Sequence, residues 1–356
     1  MVPKDTTPIG EPLRPGDTGE GVRDLHRRLD TAGHPVAPAE ATAGHYGHPV
    51  VPAEATAGHY GEDTSAQVAR FQAERGLHEH GLVDEHTLSS LIEAGYRLGD
   101  RNLYLHAPML RGDDVADLQL RLGSLGFNAG RIDGIFGTDT SAALRDFQRN
   151  SGLILDGIAG AATVRSLRHL AGRSAGTTPV AQVRELDLLL RSRPDLDERR
   201  IALGHFGSCG ALAAALSRGL RTRGANVVAL DHPDDTTQAA TANRFEAEAY
   251  LGLRIESLSA PEVAYFATEG FHSEGGLRLA QRCAAALKQV LADGMAGTEV
   301  AVRGMRLPIL RRTRMPAVLC TLAPPPSVVP ATAELADQLT VAVSAWAADP
   351  TTSPEA

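Results

Sequence analysis

The sequence contains only three cysteines, Cys209, Cys283 and Cys320. An odd number in a chain of 356 residues argues against a disulfide framework and favours reduced thiols in the cytoplasm. The residues that follow Met1 contain no apolar segment with a cleavage-site pattern, so we expect no signal peptide. No apolar run has the length of a transmembrane helix, so we expect no membrane span. Together these features predict a cytoplasmic location.

Basic clusters are also lacking. The formal net charge is −8, which argues against a nucleic-acid partner. Hydrophobic residues make up 43% of the chain, enough for two small domains and one larger one, each with its own core.

An internal repeat is the strongest positive feature. The copies share the following residues: Val22, Leu25, Leu29, Gly61, Phe71, Gln72, Gly81, Thr87 and Leu91 in the first, and Val115, Leu118, Leu122, Gly137, Phe147, Gln148, Gly157, Thr163 and Leu167 in the second. From the shared Gly to the last shared Leu the copies align without a gap, since 91−61 and 167−137 are both 30. Matching over this length indicates a duplicated supersecondary unit.

Each copy has the pattern of a three-helix domain. Val115, Leu118 and Leu122 follow the i, i+3, i+7 spacing of one buried helix face. Thr138 or Asp139 is the predicted N-cap of the next helix, which we expect to end at Gly152.

The second copy resembles the type 1 peptidoglycan-binding domain, because it has the pattern Gly-Leu-x-x-Asp-Gly-x-x-Gly-x-x-Thr-x-x-x-Leu from Gly152 to Leu167. The resemblance implies peptidoglycan fragments or precursors as ligands. The candidate ligand contacts lie on the turns of this copy, at Asp133, Phe136 and Asp156, although Phe136 is alternatively a core residue. The first copy departs from the pattern and has Ala57, His80 and Asp84 where the second has Asp133, Asp156 and Gly160.

The first copy also contains a tandem duplication of 14 residues (47−33) within residues 33–60. It brings in His34, His45, His48 and His59. We interpret the segment as an exposed, flexible loop, with adventitious metal binding as the alternative.

Strand-like and helix-like segments alternate after residue 199. The predicted strands are 201–203, 226–230, 250–255, 263–266 and 317–320, and the predicted helices are 211–221, 241–247, 276–291 and 333–346. Alternation of this kind predicts an α/β domain with a central sheet flanked by helices.

This third region resembles the zinc-dependent N-acetylmuramoyl-L-alanine amidases, most closely at Ala242-Asn243, Leu253-Arg254 and residues 310–319. With the two copies ahead of it, the whole chain is similar to the actinobacterial CwlM-type amidase homologues. The implied fold class is multidomain, with two small all-α domains and one α/β amidase-like domain.

The departures from the family fall on its chemistry. The resemblance implies a zinc ion held by His, Glu and His, with a second Glu as general base. Here Gly207 stands at the first His position, Arg254 at the second and Thr321 at the base position. No carboxylate lies between Gly204 and Arg221, where the Glu ligand is expected. We therefore expect neither a zinc cofactor nor catalytic residues.

Two alternatives remain open at these positions. His205, Cys209 and Cys320 can form a substitute metal site, although ordinary packing is favoured because free cysteines behave as small buried hydrophobes. Arg254 forms a salt bridge with Glu256 or Glu246, or else holds an anionic ligand in the place of the metal charge.

These features predict a catalytically inactive amidase homologue that acts as a muropeptide- or precursor-sensing regulator or scaffold of peptidoglycan synthesis. The alternatives are an active N-acetylmuramoyl-L-alanine amidase and a simple peptidoglycan-binding module. The resemblance implies partner proteins of precursor synthesis or export and control by a Ser/Thr kinase, for which Thr6-Thr7 and residues 351–353 are candidate acceptors.

The predicted boundaries are a flexible N-terminus at 1–10, the first peptidoglycan-binding domain at 11–97, the second at 104–171, a linker at 172–198, the amidase-like domain at 199–347 and a flexible tail at 348–356.

Overall fold

The computed structural model describes residues 12–36, 58–171, 178–258, 260–291 and 300–351. The chain divides into two compact units. The first comprises Met1–Leu122 and Gly134–Arg173, and the second comprises Gly123–Asp133 and Ser174–Ala356.

The first repeat copy contains the helices Glu20–Thr31, Glu62–Glu74 and Glu85–Ala94. They enclose a small hydrophobic core built from the shared apolar positions of the repeat. Two isolated β-bridges, Leu13 with Val83 and Thr18 with His59, tie the connecting segments together. The prediction of a three-helix domain is confirmed for this copy.

The second copy contains the helices Asp113–Ser124, Thr138–Asn150 and Ala161–Ala171. The predicted cap is wrong, because Gly137 occupies the N-cap position of the middle helix and no side chain bonds to that end. Gly152, just beyond the helix, has a φ of +64°, so it ends the helix as predicted.

Most of the predicted loop, residues 37–57 with His45 and His48, lies outside the described residues. Its flanks belong to the folded repeat. His34 is largely buried, 2.8 Å from a carboxylate oxygen of Glu74 and edge-on to Phe71, and Val36 is only 7% exposed. His34 and Val36 thus pack against the repeat, which differs from the expected exposure, whereas Pro35 between them is exposed.

Among the described residues, the second unit has a sheet of seven strands. They are β1 Arg200–Phe206, β2 Asn226–Asp231, β3 Ala249–Ile255, β4 Glu262–Thr268, β5 Phe271–His272, β6 Ala301–Met305 and β7 Ala317–Leu322. The order β2-β1-β3-β7 is parallel, β4 is antiparallel to β7, and β4 also pairs with β5 and β6.

Helices cover this sheet. They are Val180–Leu190, Gly210–Thr222, Asp235–Arg244, Glu274–Leu291, Pro308–Arg312, Pro325–Val328 and Thr332–Ala348. One face of the sheet forms a continuous core with the helices Gly210–Thr222, Glu274–Leu291 and Thr332–Ala348. Trp346 is fully buried there and donates a hydrogen bond of 3.0 Å to the carbonyl of Gly275. The α/β prediction is confirmed.

One predicted helix is misplaced. The pattern predicted residues 241–247, but the helix runs from Asp235 to Arg244. Asp234 caps its start by accepting a hydrogen bond of 2.7 Å from the backbone N–H of Thr237. An aspartate at the N-cap satisfies an N–H group that the helix itself leaves unpaired.

No helix in the described part of the chain combines the length and apolar composition that crossing a bilayer requires.

Candidate functional site

The candidate site positions of the second unit lie together at one edge of its sheet. Phe206, Arg254 and Thr321 are paired residues on β1, β3 and β7, and they stand side by side at the carboxyl ends of these parallel strands. Gly207 follows Phe206 directly. The structure therefore brings together the three positions, Gly207, Arg254 and Thr321, that the sequence analysis matched to the ligand and base positions of the amidases.

Arg254 is the dominant charge at this edge. Its side chain is 22% exposed, and its guanidinium lies 4.8 Å from the centre of the Phe206 ring. One terminal nitrogen is 3.4 Å from a carboxylate oxygen of Glu256, and the other is 3.8 Å from Asp235. The predicted pair with Glu256 is present, whereas Glu246 pairs with Arg200 instead, at 3.1 Å.

The connection after β1, where the resemblance implies a carboxylate ligand, is short. Only three residues, Gly207, Ser208 and Cys209, separate β1 from the helix that begins at Gly210. Gly207 has a φ of +63°, a conformation that glycine adopts without steric cost and that lets the chain turn at once into the helix. None of these three residues carries a carboxylate.

The residues at this edge do not fit a zinc ion of the amidase type. Such a site needs three ligands with lone pairs and an open position for water. Glycine offers no side chain, the arginine guanidinium has no lone pair to donate, and a threonine hydroxyl is a poor base. The cation at this sheet edge is the guanidinium of Arg254.

His205, Cys209 and Cys320 lie apart from that row. Strand alternation turns His205 and Cys320 to the core face of the sheet, and Leu253 of β3 separates them. Because neighbouring strands lie about 4.8 Å apart, two strand spacings separate them by roughly 10 Å. No group of three His, Cys, Asp or Glu side chains within the described ranges is arranged to hold a metal ion.

The two cysteines are also protonated thiols. Burial raises the pKa of Cys209 to about 11 against the opposing charge of Arg254. The pKa of Cys320 is held well above its ordinary value by a hydrogen bond with the Cys283 thiol and by burial. Zinc binds the thiolate, so these thiols are poor ligands at neutral pH.

His205 has a partly satisfied environment. Its side chain is 11% exposed, and its Nε2 is 3.8 Å from a carboxylate oxygen of Asp231. Its Nδ1 is buried and has no hydrogen-bond partner within the described chain. The carbonyl of His205 accepts a hydrogen bond of 3.1 Å from Gln238, which fixes the end of β1 against the following helix.

In the second repeat copy, the three candidate ligand residues have different surroundings. Phe136 is fully buried, so its ring offers no surface to a ligand. Asp133 is partly exposed, and its backbone carbonyl accepts a hydrogen bond from Arg311. Asp156 is exposed.

Asp156 has a structural role in its turn. One carboxylate oxygen accepts hydrogen bonds of 2.8 Å from the Ile158 backbone N–H and from Gln148. The bond from Ile158 and then that from Gln148 lower the pKa of Asp156.

Gln148 organises the same turn. Its amide oxygen accepts from the backbone N–H of Gly157 at 2.9 Å, and its nitrogen donates to the carbonyl of Ile158 and the hydroxyl of Thr163. Sequence reasoning noted the shared Phe-Gln pair but assigned it no role. A glutamine shared by both copies beside a core phenylalanine was the available signal, because a buried amide must satisfy both its donors and its acceptor.

Gln72 makes the equivalent bonds in the first copy, to Gly81, Leu82 and Thr87. His80 stands at the position of Asp156, and its Nδ1 takes over the acceptor role, 3.1 Å from the Leu82 N–H and 3.2 Å from Gln72. An acceptor Nδ1 places the ring proton on Nε2. That nitrogen lies 3.3 Å from Asp84, so the substitutions at 80 and 84 complement each other.

The chain is similar to known proteins in both its repeats and its α/β unit. Residues 18–91 and 111–167 match the peptidoglycan binding domain family. The chain is 37% identical over 280 residues to the N-acetylmuramoyl-L-alanine amidase CwlM of Mycobacterium tuberculosis, which covers 70% of this chain and 68% of that protein. A spore cortex-lytic enzyme of Bacillus cereus is 52% identical over 56 residues, 16% of this chain and 22% of that protein.

Among solved structures, the catalytic domain of CwlV, an N-acetylmuramoyl-L-alanine amidase from Bacillus (Paenibacillus) polymyxa, aligns with 41% of this chain and 97% of its own length, at 14% identity and a TM-score of 0.30.

Proposed function

Because the chain belongs to the family of CwlM and related N-acetylmuramoyl-L-alanine amidases, we propose that it is a catalytically inactive member of that family. It senses muropeptides or peptidoglycan precursors and regulates or scaffolds peptidoglycan synthesis in the cytoplasm. The observation that carries this proposal is the pairing of Arg254 with Thr321 at the sheet edge, where an amidase needs a metal ligand and a general base.

The chemistry of these side chains argues against hydrolysis. Amide cleavage by such a site depends on a metal-activated water and a carboxylate that moves its proton. Arg254 cannot ligate a metal, and its charge is already balanced by Glu256 and Asp235. The same two carboxylates weaken the case that Arg254 holds an anionic ligand. Recognition of the ligand therefore falls to the peptidoglycan-binding repeats.

The proposed cytoplasmic location is supported by the cysteines. All three are free thiols buried in the amidase-like unit. Unpaired thiols are typical of reducing compartments, where peptidoglycan precursors are made. The partners proposed on this basis are proteins of precursor synthesis or export, with a Ser/Thr kinase as the controlling enzyme. Of the candidate acceptors, Thr6, Thr7, Thr352 and Ser353 lie outside the described residues.

The first test measures zinc content and hydrolysis together. Protein purified without a metal-affinity tag is analysed for zinc by mass spectrometry and then incubated with muropeptides in added zinc. We expect less than stoichiometric zinc and no released stem peptide, together with measurable muropeptide binding. An active zinc amidase assayed beside it shows that the substrate is competent.

The competing function is the activity that the name of the mycobacterial relative states, an N-acetylmuramoyl-L-alanine amidase. Stoichiometric zinc with stem-peptide release would establish that function and refute ours. Binding without hydrolysis, and without any effect on precursor synthesis in a reconstituted extract, would leave a simple peptidoglycan-binding module.

A further inference from the structure

A surface groove of about 530 Å³ lies on the first repeat copy, between the helix Glu62–Glu74 and the turn that carries Gly81. Ser65 and Ala69 line it from the helix, and His80 and Gly81 line it from the turn. The exposed carboxylates of Glu62 and Glu79 also border it. The second copy provides an internal comparison, because residue 61+n of the first copy aligns with residue 137+n of the second.

In the second copy the equivalent space is filled by the side chain of Arg145. Arg145 stands where the first copy has Ala69, and its guanidinium lies directly over Gly157, the counterpart of Gly81. A Cβ added to Gly157 would be 2.8 Å from Nε of Arg145 and 3.2 Å from its Cζ. A Cβ added to Gly81 would instead have Ser65 as its nearest neighbour, with the small hydroxyl group of that residue 2.5 Å away. The groove of the first copy is open because Ala69 has no long side chain, whereas Arg145 at the same position of the second copy covers the glycine with its guanidinium.

The groove of the first copy is also surrounded by more negative charge than the same region of the second copy. The first copy has Glu62 and Glu79 where the second has Thr138 and Leu155, which adds two carboxylates. Asp156 is replaced by His80, so a carboxylate is lost at that position and an imidazole, whose Nδ1 accepts the Leu82 N–H, stands in its place. Neither Lys nor Arg is among the residues that line the groove. The first copy thus combines space for a cation with net negative charge around it.

We propose that this groove binds a primary ammonium group of a peptide ligand, which takes the place that the Arg145 guanidinium occupies in the second copy. In a muropeptide this group is the free side-chain amine of the diamino acid in the stem peptide. The inference rests on the proposed function, because it names the chemical group through which the first repeat recognises its ligand.

Two kinds of substitution separate the contributions of charge and space. Glu62→Gln with Glu79→Gln removes both carboxylates, and because exposed ion pairs are individually weak, we expect about a fivefold loss of affinity. Ala69→Arg places a guanidinium over Gly81 as in the second copy, and we expect it to abolish binding to this repeat. Ala73→Arg adds the same charge at an exposed position of the same helix outside the groove and is the matched control.

The experiment is calorimetric titration of the full chain with two probes. One is N-acetylmuramoyl-pentapeptide with lysine at its third position, and the other is the same molecule with the lysine amine acetylated. We expect the free amine to bind more tightly, an advantage that disappears in A69R, falls in the double glutamine variant, survives in A73R and weakens as salt rises.

The possible results distinguish the inference from the function it rests on. Equal binding of both probes, unchanged in A69R, would overturn the ammonium site while leaving peptidoglycan recognition intact. Absence of binding by either probe to the unsubstituted chain would overturn the ligand-sensing function and this inference with it. Loss of binding in A73R as well as in A69R would show that added charge, not the groove, is responsible, and would also overturn the inference.

Discussion

Individual buried amides hold the turns of both repeats. Gln72 and Gln148 are fully buried, and each bonds a glycine N–H, the next carbonyl and a threonine hydroxyl. These turns border the region in which the ligand is proposed to bind. The shared Phe-Gln pair of the repeat is therefore a structural device that sets the shape of the turn.

Replacing Gln72 tests this role. Gln72→Ala leaves the buried N–H of Gly81 and the part-buried carbonyl of Leu82 without their partner, and an unsatisfied buried group costs about 1–3 kcal/mol. We expect faster hydrogen exchange across residues 77–91, measured by mass spectrometry on the full chain. Gln67→Ala, on the same helix but outside this network, is the control. Equal exchange in both variants would contradict the role assigned to Gln72.

Asp84 makes the first repeat sensitive to acid. Burial raises the pKa of its carboxyl, but hydrogen bonds from the Thr87 hydroxyl and amide, with the charges of His80 and His86, bring the pKa below its ordinary value. A carboxyl with a lowered folded-state pKa stabilises the fold above its unfolded-state pKa of about 3.9, and the stabilisation is lost as pH falls through the lower folded value.

We therefore expect the helix Glu85–Ala94 to lose protection as the pH falls from about 5 towards 2. Asp84→Asn keeps a capping side chain but removes the titration, so its protection should change less over the same range. Amide exchange of Thr87 and Leu88 followed by NMR measures both. The same acid response in the two proteins would show that other carboxylates are responsible.

At the scale of single elements, the packing of the Gln238 and Tyr250 side chains against β1 depends on one glycine, Gly204. A Cβ added to Gly204 would lie 2.1 Å from both the Gln238 amide oxygen and the Tyr250 hydroxyl oxygen, which are themselves joined by a hydrogen bond of 2.9 Å. Gln238 also donates to the carbonyls of His205 and His232. This arrangement fixes the end of β1, and with it the position of Phe206 beside Arg254.

Gly204→Ala should therefore destabilise the amidase-like unit by about 2–4 kcal/mol, because it overpacks the site and breaks a buried hydrogen bond. Denaturant unfolding followed by the fluorescence of Trp346, the single tryptophan, measures the change. Gly210→Ala is the control, since the nearest atom to its added Cβ is 3.8 Å away. Matching midpoints for the two variants would show that the strand tolerates the extra methyl group.

The elements differed in how well the sequence predicted them. β3, β7 and the helix Glu274–Leu291 were found because continuous or periodic apolar residues fill the core. β6 was missed because it lies along β4 with little burial, and two of its five residues, Arg303 and Gly304, are exposed. Its position comes from pairing with a neighbouring strand, which local sequence does not encode.

The same distinction applies to the candidate site. The positions Gly207, Arg254 and Thr321 were predicted by alignment to a family pattern, and the strand register brings the three positions together at one edge. The second partner of Arg254, Asp235, was not predicted, because it begins a helix that the apolar pattern placed six residues too late (241−235). Partners from distant parts of the chain follow from tertiary packing alone.

At the scale of the whole molecule, the state of the three cysteines bears on the proposed cytoplasmic location. Cys209, Cys283 and Cys320 are fully buried and free, and they belong to one hydrophobic core. Burial raises the pKa of Cys209 to about 11, and the pKa of Cys320 is also raised, by its bond with Cys283 and by burial. Thiols in this state react slowly with oxidants and with thiol reagents, because the thiolate is the reactive form.

We expect native protein, purified without reductant, to react hardly at all with Ellman's reagent at pH 8. After unfolding, each chain should react at all three cysteines and release three equivalents of thionitrobenzoate from the reagent. The slow labelling of the native state should follow the rate of unfolding, so Gly204→Ala should accelerate it while Gly210→Ala should not. Fewer than three equivalents after unfolding would reveal a disulfide. That result would remove the main support for a reducing compartment and would favour the wall-degrading amidase over the cytoplasmic regulator.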